Sequence, residues 1–186
     1  MAVAKAHTPY AKTPVAALFS PEVSDKLLEL IEGEMVHMSP AGAWHNRVAS
    51  NIELLFRLFC RLRPDLDFGG RDDGFLIEKN PDTLLVPEAC LFLTRPWPDS
   101  PWREFAPEIW VEVLSPGNST AEMTFKRHRL FEAGTEQFWL VDPVERHVQI
   151  FHRDGQVQTY SADESIPCEG VAEGLTVALA DIFSER

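Results

Sequence analysis

The segment Glu108-Ile109-Trp110-Val111-Glu112-Val113-Leu114 constrains the fold more than any other. Apolar residues fall on both sides of this chain once it is extended. As a strand it must therefore be covered on both faces, in the middle of a sheet with helices packed over it. Candidate covering helices are legible nearby. Trp44, Val48, Ile52, Leu55, Phe59 and Leu62 recur at steps of three and four, one stripe along an α-helix closed by Pro64. His45, Arg47, Asn51, Arg57 and Arg61 fall on its other faces. A further helix opens at the capping box Ser119-Thr120-Ala121-Glu122 and stops at Gly134.

The remaining elements follow from local signals. Ser20-Pro21-Glu22 predicts a helix start, and Val23, Leu27, Leu28, Leu30 and Ile31 give that helix an apolar face up to Gly33. Strands are expected at 34–38, 74–78, 83–94 and 136–141. The run 83–94 is interrupted by Pro87-Glu88; proline cannot donate to a sheet ladder, so a bulge or an edge is expected there. A hairpin, 146–152 with 156–160, turns at Asp154-Gly155. From Gly174 onward a final strand or turn ends in Ile182-Phe183. The order α, β, α, β, β, β, α, β and a hairpin describes an α/β domain with one mixed sheet. At 186 residues, one domain is expected over 20–186, with 1–19 as an N-terminal tail or arm.

Charge narrows the partners. The chain has 17 basic and 29 acidic residues, a formal net charge of −12. That field repels phosphate surfaces, so broad electrostatic capture of DNA or of an anionic membrane is disfavoured. A local basic patch remains open, at Lys126-Arg127-His128-Arg129 or at Arg57, Arg61 and Arg63; such runs are more often solvated helix faces. Cys60, Cys90 and Cys168 have neither disulfide nor zinc spacing and read as buried free thiols. Reduced thiols, with no signal-peptide pattern, lead us to expect a soluble cytoplasmic protein. No apolar stretch approaches the roughly 20 residues needed to span a bilayer.

The chemistry is expected where charge sits inside apolar strands. Glu112 is flanked by Trp110, Val111, Val113 and Leu114, and Glu88 interrupts the preceding apolar run. A buried carboxylate is costly unless it is paired or metal-bound. If the two strands are neighbours, the carboxylates meet, and Mg²⁺, an acid/base pair or a salt bridge would satisfy them. Lys126, on the helix that must fold back over the sheet, is in range of that spot. Two carboxylates, a divalent cation and an amine suit phosphodiester hydrolysis. Blander alternatives stay open: Glu88 on an exposed edge, Glu112 in a structural ion pair, Lys126 paired with Glu122 on a solvated helix face.

The motifs Gly33-Glu34-Met35-Val36-His37-Met38-Ser39-Pro40, His45, Val86-Pro87-Glu88, Val111-Glu112-Val113-Leu114-Ser115-Pro116, Lys126 and Phe138-Trp139-Leu140-Val141-Asp142-Pro143 occur in order. In this the chain resembles the Uma2-type restriction endonuclease family of the PD-(D/E)XK nuclease superfamily. The resemblance implies a restriction-endonuclease-like fold, a central mixed β-sheet flanked by helices with an αβββαβ core. It implies a DNA endonuclease using Mg²⁺, with Mn²⁺ as a substitute. Glu88 and Glu112 would hold the metal and Lys126 would assist the attacking water, with Glu34 and His45 in supporting roles. The sequence departs from the superfamily pattern twice. Pro-Glu replaces Pro-Asp, and Leu114 stands where the strand lysine of E-x-K belongs. These departures keep a second expectation alive: a binding module that retains the nuclease fold without its chemistry. A hydrolase using Glu34, Glu88 and Glu112 as acid/base carboxylates has little motif support. A homodimer is expected from the need to cut two strands, with the Trp97/Trp102 loop and the terminal hairpin as candidate contacts.

Overall fold

The first strands form a hairpin. β1 (Leu28–Ile31) and β2 (Glu34–His37) pair antiparallel around Glu32-Gly33, and both turn residues have positive φ, 51° and 81°. Positive φ at both central positions is what a two-residue hairpin loop requires. The structure, a computed structural model, describes Val15, Leu18 and residues 28–37, 41–161 and 163–185. The helix expected to run through Ile31 is therefore corrected over 28–31, and its start at Ser20 lies outside the described residues. Ladder pairing on both sides of β1, including Leu30 with Leu84, outweighs the helix-like spacing.

The long helix is α1 (Ala43–Cys60). Val48, Ala49, Ile52, Phe56 and Phe59 are buried along it, and so is His45, contrary to its expected outward position. Leu62 lies beyond the helix end and is 80% exposed, so the stripe stops one turn earlier than its spacing suggests. β3 (Leu66–Gly70) follows, then β4 (Phe75–Glu78), β5 (Thr83–Leu85), β6 (Ala89–Leu93) and β7 (Ile109–Val113). Next come α2 (Thr120–Ala133), β8 (Gln137–Asp142), β9 (His147–His152) and β10 (Val157–Ser161). β11 (Ser165–Pro167), β12 (Thr176–Ala178) and the short α3 (Leu179–Ile182) complete the described chain. Among the described residues no helix is long and apolar enough to cross a membrane.

The main sheet has the order β10-β9-β8-β7-β6-β3. β7 and β8 run parallel across the α2 crossover, and the other neighbours are antiparallel, so the sheet is mixed as expected. A second sheet has the order β2-β1-β5-β4, and β11 pairs with β12. The αβββαβ order is present as α1-β3-β6-β7-α2-β8, with different strands filling it. β3, whose Leu-Asp-Phe-Gly-Gly carries little strand signal, supplies the first position. The expected strand at 74–78 is β4, in the other sheet. The apolar run 83–94 is two strands in two sheets, with Val86-Pro87-Glu88 as the crease.

β7 is buried at every residue. Ile109, Val111 and Val113 pack with α1 residues Val48, Ile52 and Phe56, while Trp110 packs on the opposite side with Leu130 of α2, Phe75, Phe92 and Phe138. Ser119 caps α2 by accepting the Glu122 N–H at 3.1 Å, and Gly134 ends it at φ 121°. Cys90 and Cys168 are buried and Cys60 half-buried, all free. Burial pushes the Cys168 thiol up to about 12, and burial with nearby Asp67 raises Cys60 to about 11, so both stay protonated and inert.

Of the two loop tryptophans, Trp97 is exposed and Trp102 is half-buried. Trp102 lies over Gly74: a Cβ there would come within 2.5 Å of the indole ring. Gly74→Ala is expected to cost about 1–3 kcal/mol through overpacking. A urea midpoint unchanged from wild type would show that the loop yields freely.

Candidate active site

The two strand carboxylates meet. β6 and β7 pair with Ala89 opposite Val111, and the Glu88 N–H donates to the Val111 carbonyl at 3.1 Å. One further step along this register puts Glu88 beside Glu112. Both line a cleft of about 110 Å³ at the C-terminal end of β7, together with Glu29, His45, Asn118 and Lys126. β7, the Ser115–Asn118 turn and α2 line one side of the cleft, and Val36 and His37 of β2, Ala41, and His45 at the start of α1 also contribute.

Lys126 reaches this cleft because α2 buries Met123, Lys126 and Leu130, a stripe at steps of three and four. Its Nζ is 2.9 Å from Glu112 Oε1 and 3.0 Å from Glu29 Oε1. It is 4% exposed, and its partners are these carboxylates rather than Glu122. Burial disfavours the ammonium, but Glu112 and Glu29 overcome that cost and raise its pKa above 10.5, so the charge persists at physiological pH. Glu112 Oε1 also accepts the Trp110 indole N–H at 2.8 Å.

Glu88 has a different environment. His45 Nε2 lies 3.4 Å from its Oε1, and Arg71 Nε lies 4.0 Å from its Oε2. Oε2 is buried without a hydrogen-bond partner. His45 Nε2 also lies 2.8 Å from the Val113 carbonyl, which can only accept, so Nε2 carries a proton. His45 Nδ1 is buried and unpartnered. Arg71 is steadied by Asn46 Oδ1 at 2.6 Å and Ser50 Oγ at 3.0 Å. Burial pushes the Glu88 carboxyl up to about 7, reinforced by Glu112 and opposed by Arg71 and Lys126.

The sign of that shift gives a prediction for the metal-free protein. The folded state holds the Glu88 proton more tightly than the unfolded chain, whose carboxyl titrates near 4.5. Stability therefore falls as pH rises from about 4.5 to about 7 and then levels off, by up to roughly 3 kcal/mol. In EDTA, Glu88→Gln should be more stable than wild type at pH 8 and closely matched at pH 4.5. A pH-independent difference in urea unfolding would contradict this.

Of the expected site residues, Glu88, Glu112, Lys126 and His45 come together here. Glu34 does not: it is exposed beside the hairpin turn, opposite Ile31, and does not line the cleft. The carboxylate that the hairpin does deliver is Glu29, 2% exposed and not among the expected site residues. Read as a strand, Leu28-Glu29-Leu30-Ile31 carries the same signal as the other two sites, a lone carboxylate in an apolar run. The basic runs do not form patches. Arg129 pairs with Glu78, Glu32 and Glu132, His128 with Glu132, Arg63 with Asp65, and Arg57 with Glu53. Arg127 lies over the Phe151 ring at 3.9 Å. A larger groove of about 430 Å³, mainly apolar, lies beyond the Ser115–Ser119 turn, but the buried carboxylates and the ammonium are in the smaller cleft.

Comparison with known proteins agrees with this architecture. The profile of the Uma2 family, described as "Putative restriction endonuclease", matches residues 17–180. No curated protein matches the chain. Among solved structures, the chain is similar to a "putative nuclease belonging to DUF820" from Anabaena variabilis. The two share 21% identity with a TM-score of 0.72, over 84% of this chain and 89% of that one. At that identity the likeness speaks for the fold, which is restriction-endonuclease-like.

Proposed function

Since this chain belongs to the Uma2 family of restriction-endonuclease type, we propose that its cleft hydrolyses DNA phosphodiester bonds with a divalent cation. The observation carrying this reading is the convergence of Glu88, Glu112 and the Lys126 ammonium in one cleft. The donor set fits Mg²⁺. Glu88 Oε2 is a buried oxygen with no hydrogen-bond partner, and Arg71 Nε lies 4.0 Å from it. Among the described residues no three His, Cys, Asp or Glu side chains form a complete cation cage. Glu88 and Glu112 are therefore the only protein ligands proposed, with water and phosphate oxygens completing the shell of a Mg²⁺ ion. Bound there, the ion would polarise the phosphate and lower the pKa of a water.

The side chains divide the remaining work. Glu88 and Glu112 hold the cation, Glu112 through the carboxylate edge left by Trp110 and Lys126. Lys126 stays charged, so it orients the attacking water and offsets the charge growing on the phosphate; it does not take the proton. His45 Nδ1 accepts a hydrogen bond from water in the cleft. Arg71, about one-third exposed at the rim, faces a phosphate oxygen.

The test is cleavage of supercoiled plasmid with Mg²⁺ or Mn²⁺ against an EDTA control. Metal-dependent nicking is expected. A second reading, a nuclease fold kept as a binding module, is favoured by one observation: carboxylates already pair with Arg57, Arg63 and Arg129, three of the five arginines in the basic runs. Absence of both cleavage and saturable Mn²⁺ binding would select it.

A further inference from the structure

We infer that Glu29 is the positioning residue of this site, fixing the Lys126 ammonium relative to Glu88; the inference rests on the nuclease reading above. An ammonium has three N–H donors. Lys126 gives one to Glu112 Oε1 and one to Glu29 Oε1, which leaves one for the cleft it lines. With two donors engaged, the direction of the third is set.

Neutralising Lys126 does not require Glu29, because Glu112 already supplies one negative charge. A second buried carboxylate adds desolvation cost, and an apolar residue at this position would fold more easily. Burial raises the Glu29 carboxyl pKa, opposed by Lys126 and reinforced by Glu112. What Glu29 adds is a connection. The same Oε1 that accepts from Lys126 also accepts the backbone N–H of Val86 at 3.0 Å. Val86 stands two residues before Glu88, in the crease between β5 and β6. One oxygen atom thus ties the amine on α2 to the segment that carries the Glu88 carboxylate. Glu29 comes from β1 of the second sheet, so that sheet contributes to the site directly. Among the described residues, the hydrogen bonds of the Glu112 side chain come from Lys126 and Trp110 and not from the backbone of this crease, so the link to it is made by Glu29.

Three measurements on Glu29→Met, which fills the space of the glutamate and removes the acceptor oxygen, test this. Cleavage should lose about 10²-fold in kcat with KM unchanged, the scale of a misplacement near 1 Å. Mn²⁺ affinity should stay within twofold of wild type, because Glu29 positions and does not ligate. The Lys126 Nζ signal in ¹H–¹⁵N spectra, protected from exchange by two hydrogen bonds, should broaden or vanish. Glu29→Asp keeps the charge but shortens the reach; it should show the same pattern more weakly, and it serves if the methionine variant fails to fold. An unchanged kcat, or a loss of Mn²⁺ affinity matching the loss of kcat, would overturn the inference. Should the wild type cleave no DNA, the spectrum still decides: a Lys126 signal intact in both variants would refute the positioning role by itself.

Discussion

Lys126→Met is expected to lower the unfolding free energy by about 3–5 kcal/mol at pH 7. Methionine matches the length of the lysine stem, so packing of α2 against β7 is largely kept. What is lost is the one cation between Glu112 and Glu29, both nearly fully buried. Two carboxylates then share a dry site with Glu88 nearby, and breaking a buried pair from one side leaves uncompensated charge. The carboxylates can shed that charge only by binding protons. The penalty should therefore shrink as pH falls towards 4.5. Urea unfolding at pH 7.5 and pH 5 would measure it; a small loss equal at both pH values would mean that the three groups are not coupled.

Glu112→Gln is expected to reduce metal-dependent cleavage by roughly 10³-fold. Polarisation of a phosphate by a bound cation contributes several kcal/mol, and each 1.36 kcal/mol is tenfold in rate. The amide is isosteric and can still accept from Trp110 and Lys126 at one atom, while Lys126 retains Glu29. The fold should hold, which separates this variant from Lys126→Met. Plasmid nicking in Mg²⁺, with near-UV circular dichroism as a check on packing, reads both. Cleavage at the wild-type rate would remove Glu112 from the proposed site.

The sequence was most legible where one physical demand ruled the pattern. β7 had to be covered on both faces, and α1 and α2 carried their stripes and caps, so the helices and central strand are where spacing places them. Glu88 and Glu112 stood out because charge inside an apolar run needs a partner, and Lys126 because its helix must fold back over the sheet towards them. The losses came where long-range pairing outweighs local pattern. β3 is held by β6 despite two glycines, and β1 is held by β2 and β5 despite helix-like spacing. Reading β1 as helix hid Glu29, while Glu34, implied by the family resemblance, lies five residues on at the turn end of the hairpin. His45 was placed outward because helical periodicity cannot show that the end of α1 closes over the Val113 carbonyl.

The distance in sequence between Glu29 and Lys126 has a consequence during synthesis. These partners are 97 residues apart, and the hairpin is made long before the helix. At about 5–20 residues per second, the ribosome needs roughly 5–20 s to cover that interval. Until α2 emerges, the nascent chain holds Glu29, then Glu88 and Glu112, without their cation, and the cleft has no ammonium. A chain released early, before residue 126, would carry the acidic half of the site alone. If the site is a nuclease, its activity would be withheld from incomplete chains by the order of translation.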